Sequence, residues 1–302
     1  MERMAARGRP HARRVTAADR LCRAAARALA ARRPDEALAL ARRALVEAPH
    51  HAAANRLAAK LLLDAGDFAG AEQRIADALA SDPRHGGSQM IGGYVASRRG
   101  DLPLAIARFT AAAAAMPGDP RPAFLRAVAL LESGARGQAE TGLEALVRHH
   151  PGHAPAWSVL GHARRTRGDA AGATAALERA LALAPDLADA WFDLGLARQD
   201  GGDMAGAARA YARVAELQPE RAQAWINLGG ALQDTARLDA AFAAYARAYR
   251  LDRTTFAPIA HALTSRPHGR MWLALSQLAE DLEAVIPGVA GETACDRPPA
   301  PP

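Results

Sequence analysis

The chain has 302 residues, half of them hydrophobic and only 5% aromatic, with a formal charge of +6 and an isoelectric point near 10.1. No run of about 18 apolar residues is free of charge, which excludes a membrane-spanning helix, and plentiful Ala with few β-branched residues points to an all-helical fold. The basic balance invites a nucleic-acid partner, but it sits at one end: residues 1–17 hold Arg3, Arg7, Arg9, Arg13 and Arg14 against Glu2, and the near-neutral remainder is a poor phosphate-tracking surface.

In chain order, residues 1–17 read as a basic disordered arm. No apolar stretch follows its charges, so it is not a secretory signal. Cys22 and Cys295 stand near opposite ends, which fits two free thiols and a reducing, cytoplasmic setting. From residue 18 onward three residue types recur every 34 positions. Proline falls at Pro49, Pro83, Pro117, Pro151, Pro185 and Pro219. Alanine falls at Ala37, Ala71, Ala105, Ala139, Ala173, Ala207 and Ala241, and glycine at Gly66, Gly100, Gly134, Gly168 and Gly202. The shared phase divides residues 18–255 into seven units: 18–51, 52–85, 86–119, 120–153, 154–187, 188–221 and 222–255.

Each recurring residue has a mechanical reason. The glycine suits a left-handed turn after a first helix. Asp67, Asp101, Asp169 and Asp203 follow it, where a carboxylate caps a second helix. The alanine lets two helices approach closely, and the proline ends the second helix. Past residue 255 the phase is lost. Residues 256–286 read as capping helices, the second amphipathic with Met271, Trp272, Leu275, Leu278, Leu282 and Ile286 on one side. Residues 287–302 read as a disordered Pro-rich tail.

The unit resembles the tetratricopeptide repeat, a 34-residue helix-turn-helix with a W-x2-L-G signature. The signature stands at Trp157, Leu160 and Gly161, at Trp191, Leu194 and Gly195, and at Trp225, Leu228 and Gly229. The first four units depart from it: Leu21, Asn55, Gln89 and Ala123 occupy the Trp position. In the seventh, Ala236 replaces the turn glycine and Arg253 the proline. The resemblance implies an all-α, right-handed α-solenoid with a C-terminal capping helix. It also implies that Trp157, Trp191 and Trp225 are packing residues, with Gly161, Gly195 and Gly229 beside them. The first two units, with Asn55 and Ala58 where a large apolar residue normally packs, are expected to be the weakest.

In that family the first helices line a concave groove, and two groove positions one turn apart share a face. At those positions this chain carries Arg56, Lys60, Met90, Tyr94, Phe124, Val128, Phe192 and Leu196. Arg98 and Arg165 lie further along, with Asp200 and Asp234 at the far end. The resemblance thus implies a peptide or protein partner on an apolar floor between charges of opposite sign. No G-x-x-x-x-G-K-[ST], H-E-x-x-H, G-x-S-x-G or C-x-x-C occurs, so no catalytic residue, cofactor or metal is expected. His149, His150 and His153, echoed by His50 and His51, come nearest to a metal site. They fall at proline hinges, where His suits a helix C-terminus, and lack acidic or thiol neighbours to complete a shell. Cys22 has no His in phase to activate it. Three readings follow: a peptide-binding scaffold, a targeting or remnant module of a repeat-linked transferase, and a helical-repeat RNA binder, which the charge distribution disfavours.

Overall fold

A computed structural model of the chain describes residues 15–265 and 275–285. The basic arm up to residue 14, Met271 and Trp272, Ile286, Cys295 and the Pro-rich tail lie outside the described residues. Regular structure among the described residues is helical throughout: α1 Ala17–Ala30, α2 Pro34–Glu47, α3 Ala52–Asp64, α4 Phe68–Ser81, α5 Gly86–Arg98, α6 Leu102–Ala115, α7 Pro120–Glu132, α8 Arg136–His149, α9 Ala154–Thr166, α10 Ala170–Leu183, α11 Ala188–Asp200, α12 Met204–Leu217, α13 Ala222–Asp234, α14 Leu238–Leu251, α15 Phe256–Ser265 and α16 Leu275–Ala284. None is long and apolar enough to cross a membrane. The chain divides into two compact units, Met1–Ala139 and Glu140–Pro302, the division falling within α8. In the first unit α1/α2, α3/α4 and α5/α6 are antiparallel pairs, and α1, α3 and α5 lie side by side. In the second, α9/α10, α11/α12 and α13/α14 pair, and α16 packs on α14.

The turn inside each pair follows from its glycine. Gly66, Gly100, Gly134, Gly168 and Gly202 take φ between +80 and +91°, a conformation that closes the first helix and strains any residue with a Cβ. Arg32 and Ala236 hold the same conformation in the first and last pairs, at φ 57° and 60°. The next residue caps the second helix. The carboxylates of Asp67, Asp101, Asp169 and Asp203 accept the backbone N–H of Gly70, Leu104, Gly172 and Gly206 at 2.8–3.1 Å. The recurring alanines of the second helices are buried without exception.

Close approach also sets residue size across each pair. Where the first helix carries glycine, the second carries a bulky partner over it: Gly93 lies under Phe109, Gly161 under Leu177, Gly195 under Tyr211 and Gly229 under Tyr245. A Cβ on Gly161 would stand 2.5 Å from Leu177 Cγ, well inside contact distance. Where the first helix carries Ala25, Ala59 or Ala127, the residue at the equivalent place is aliphatic, Ala41, Ile75 or Leu143, rather than aromatic.

The hinges between pairs hold a feature that residue identity hides. Trp157, Trp191 and Trp225 each donate their indole N–H to the carbonyl of the proline six residues earlier, Pro151, Pro185 and Pro219, at 3.0, 2.8 and 2.9 Å. Asn55 and Gln89, which break the Trp pattern, donate a side-chain amide to Pro49 and Pro83 at 2.8 Å. The bond survives the loss of the ring. Asn55 is fully buried and also accepts from Arg74 at 3.3 Å, so it is a satisfied core polar group rather than a gap in the packing.

The hinge histidines correct a second expectation. His51, His85 and His153 serve the following helix, not the preceding one: each ring Nδ1 accepts the N–H of Ala54, Ser88 or Ala156, at 3.2, 3.1 and 3.1 Å. The hinge is so short that the residue after the proline turn is already the N-cap of the next helix, and an imidazole lone pair does the work of Asp or Ser there. Among the described residues no three His, Cys, Asp or Glu side chains are grouped to hold a metal ion.

At the C-terminal end Leu278 and Leu282 of α16 are buried in one cluster with Ile259, Leu263 and Tyr245. Arg250 donates to the carbonyl of Val285 at 2.8 Å and ties that segment to α14.

Candidate functional site

In the first unit the inner helices enclose a cleft of about 900 Å³. Helix periodicity builds its walls. Arg56 and Lys60 stand one turn apart on α3, and Met90, Tyr94 and Arg98 stand at successive turns of α5. Cys22 and Ala26 contribute from α1 and Arg121 from α7; Leu57, Leu63 and Ile91 complete an apolar floor. Tyr94 packs edge-on against Phe109, with ring centroids 5.7 Å apart, and remains 38% exposed. Phe109 takes the room left by Gly93, so a buried ring braces an exposed one from behind.

Four cationic side chains and the single carboxylate of Asp64 line this cleft. Arg121 is held by Asp119 through bonds of 2.6–3.0 Å. Arg98 lies over the Phe68 ring, 5.3 Å from its centroid. Arg56 lies with Nη1 3.2 Å from His85 Nε2. None of Arg56, Lys60 and Arg98 is paired with a carboxylate among the described residues.

Cys22 does have a histidine neighbour, contrary to the reading of the sequence. Its Sγ is 3.8 Å from His51 Nδ1, and His51 Nε2 is 3.1 Å from Asp19 Oδ1. The phase was missed because His51 is a hinge residue of the next repeat. The group resembles a nucleophilic triad in order but not in chemistry. The Nδ1 lone pair already accepts the Ala54 N–H, and burial, with Asp19 adding to it, pushes the Cys22 thiol up. Asp19 itself is held at about 2, chiefly by the Thr16 backbone N–H and hydroxyl. The arrangement is a braced helix cap.

The residues placed on the groove by sequence separate. Arg56, Lys60, Met90 and Tyr94 meet in the one cleft, which Phe124 and Val128, half-buried on α7, do not line. Phe192 and Leu196 belong to the second unit and pack on its core cluster. The Phe192 ring lies 5.8 Å from Tyr211 and is covered by the Arg221 guanidinium at 4.2 Å. Trp191 packs beside Leu177, Leu181 and Leu194. A smaller hollow of about 430 Å³ in this unit is lined by Ser158, His162, Asp189 and Asp193 among others. Ion pairs gather there: His162 with Asp193 at 3.0 Å, Arg221 with Asp189 at 2.7 Å, and Arg165 with Asp193 and Asp200 at 3.7 Å. The hydrogen bond to Asp193 raises the His162 pKa against the opposing effect of burial.

Two models of the tetratricopeptide repeat match the sequence, one over residues 28–87 and 96–163, the other over 159–215 and 192–255. Among curated proteins none matches. Solved structures do. PilW, a widely conserved type IV pilus biogenesis factor, is 18% identical with a TM-score of 0.61, over 67% of this chain and 94% of that one. MamA is 24% identical with a TM-score of 0.51, over 56% and 93%. YrrB, described as a TPR protein with an unusual peptide-binding site, is 18% identical with a TM-score of 0.52, over 61% and 95%. At these identities the likeness is one of fold.

Proposed function

The chain belongs to the tetratricopeptide-repeat family, and from that premise we propose that it is a non-enzymatic interaction scaffold holding a peptide or protein segment in the cleft of its first unit. The observation that carries the reading is the meeting of Arg56, Lys60, Met90 and Tyr94 around one open volume of about 900 Å³. An exposed aromatic ring braced by a buried one, beside Met90, which also packs on the Ala96 and Phe109 cluster, and beside three cations with no carboxylate partner among the described residues, is suited to a binding surface. Met90 and Tyr94 act as anchors; Arg56 and Lys60 speed association and give it salt sensitivity. Phe192 and Leu196, engaged with their own core, contribute to the fold of the second unit. YrrB is described as binding peptide, which is the ligand class proposed here.

The test is partner capture with Met90→Ala combined with Tyr94→Ala. Both side chains face the cleft, so helicity should be unchanged while capture falls by at least about tenfold. A control pair in the second unit, His162→Ala with Asp193→Ala, should capture normally. Equal capture by all three proteins would remove the cleft as the binding surface.

A further inference from the structure

Five of the six proline hinges that join one helix pair to the next are clasped by a side chain six residues after the proline: Asn55, Gln89, Trp157, Trp191 and Trp225. In the sixth, between α6 and α7, that place belongs to Ala123, and among the described residues no side chain donates to the Pro117 carbonyl. The cap differs too. His51, His85 and His153 accept the N–H of the third residue on, but at that place α7 has Pro122, which has none. The Asp119 carboxylate takes the Arg121 N–H instead, two residues on, at 3.0 Å. Pro120 and Pro122 meanwhile stiffen the first turn of α7. A stiff helix end on an unclasped hinge swings rather than frays.

Further along, α7 is anchored. Ala129 is buried in one cluster with Ala96, Ala105 and Phe109, and Leu125 packs against it. The N-terminal end of α7 carries Arg121, which is exposed and lines the cleft of the first unit. The other walls are tied: α3 by Asn55 to Pro49 and α5 by Gln89 to Pro83. Resting on the reading of this cleft as the binding site, we propose that α7 is its movable wall. The N-terminal end of α7 rocks on the Pro117–Asp119 hinge about its packing on Phe109, and carries Arg121 toward or away from the fixed Arg56, Lys60, Met90 and Tyr94. A cleft built this way admits segments of different girth without unfolding a repeat.

Amide hydrogen exchange of the full chain, read residue by residue and corrected for intrinsic rates, tests the joint with no ligand present. The Asp119 N–H bonds to the Met116 carbonyl at 3.0 Å, no longer than the equivalent bonds of His51 and His85 at 3.0 and 3.2 Å. It should nonetheless exchange at least about fivefold faster than either. Ala123→Gln restores the donor found at Gln89 and should slow Asp119 about fivefold, whereas Ala123→Leu, of similar bulk without a donor, should leave it within about twofold. Gln89→Ala should speed His85 about fivefold by loosening a second hinge. The motion itself is read with spin labels at Lys60→Cys and Arg121→Cys, in a chain with Cys22→Ala and Cys295→Ser. Their distance distribution should narrow on adding Ala123→Gln and not on adding Ala123→Leu. Equal exchange at the three hinges, or equal slowing by Ala123→Gln and Ala123→Leu, overturns the joint. A distribution that Ala123→Gln leaves unchanged overturns the moving wall. If the joint behaves as expected while Met90→Ala with Tyr94→Ala still captures normally, the joint stands and the reading of the cleft falls.

Discussion

The charges that line the first unit's cleft and those between the helices of the second unit are used differently. In the second, arginines close on carboxylates of the same unit: Arg164 on Glu144 at 2.8 Å, Arg198 on Glu178 at 2.8 Å, Arg221 on Asp189 at 2.7 Å. Arg164 and Arg198 also reach the Gly172 and Gly206 carbonyls, stapling one helix pair to the next. In the first unit the cleft cations Arg56, Lys60 and Arg98 have no such carboxylate among the described residues. Aromatic exposure differs as well: Tyr211 and Tyr245 are fully buried in the second unit, whereas in the first Phe109 is buried and Tyr94, packed on it, is 38% exposed. The lesson is that the repeats closest to the family signature are the self-satisfied ones. The cleft lies in the half that departs from that signature.

That contrast can be broken most severely at the buried rings. Tyr211→Ala empties a fully buried site and should lower stability by about 3–5 kcal/mol in urea titration. Hydrogen exchange should show the loss in residues 188–221 first; a loss centred in residues 18–51 would contradict the division of labour. Next comes the proline carbonyl. Asn55→Ala removes its donor in a buried setting and should cost about 1–3 kcal/mol. Trp191→Gln, which keeps a donor of the type found at Gln89, should be milder than Trp191→Ala in thermal melting. Equal damage from both would show that only the ring matters. The left-handed turns allow an effect of opposite sign: Ala236→Gly and Arg32→Gly should each stabilise by about 1 kcal/mol by relieving a Cβ at positive φ.

The smallest expected effect is that of pH on the His162–Asp193 pair. The raised pKa means the folded state favours the charged ring. The pair therefore adds stability fully below the ordinary histidine value and loses it as pH rises through the raised one. His162 is half exposed, so the gain is about 0.5 kcal/mol. Histidine proton resonances should show the pKa returning toward its ordinary value in Asp193→Asn.

The helical, repeated character of the chain was legible in the sequence because it rests on residues with one possible use. A small residue at the helix crossing, glycine in a left-handed turn and Asp at a helix start leave little choice, and Ala71, Gly66 and Asp67 do as their positions require. The hinge was not legible, because its acceptor is a backbone carbonyl that Trp, Asn and Gln can all reach. Asn55 and Gln89 looked like decay and are substitutes. The cleft was half legible. Periodicity gives the face on which Phe124 and Phe192 lie, but not whether a neighbouring ring or guanidinium fills the space above them, as Arg221 does over Phe192.

The indole-to-carbonyl bonds have a practical corollary. The four tryptophans of the chain, Trp157, Trp191, Trp225 and Trp272, all follow residue 140, so emission excited selectively at tryptophan arises from the second unit alone. The first unit has no tryptophan and carries the Cys22 thiol instead. In the Cys295→Ser chain, denaturation followed by tryptophan emission, by ellipticity and by Cys22 labelling thus reads one half, both halves and the other half, and the spacing of the three midpoints measures how far cooperativity extends along the array.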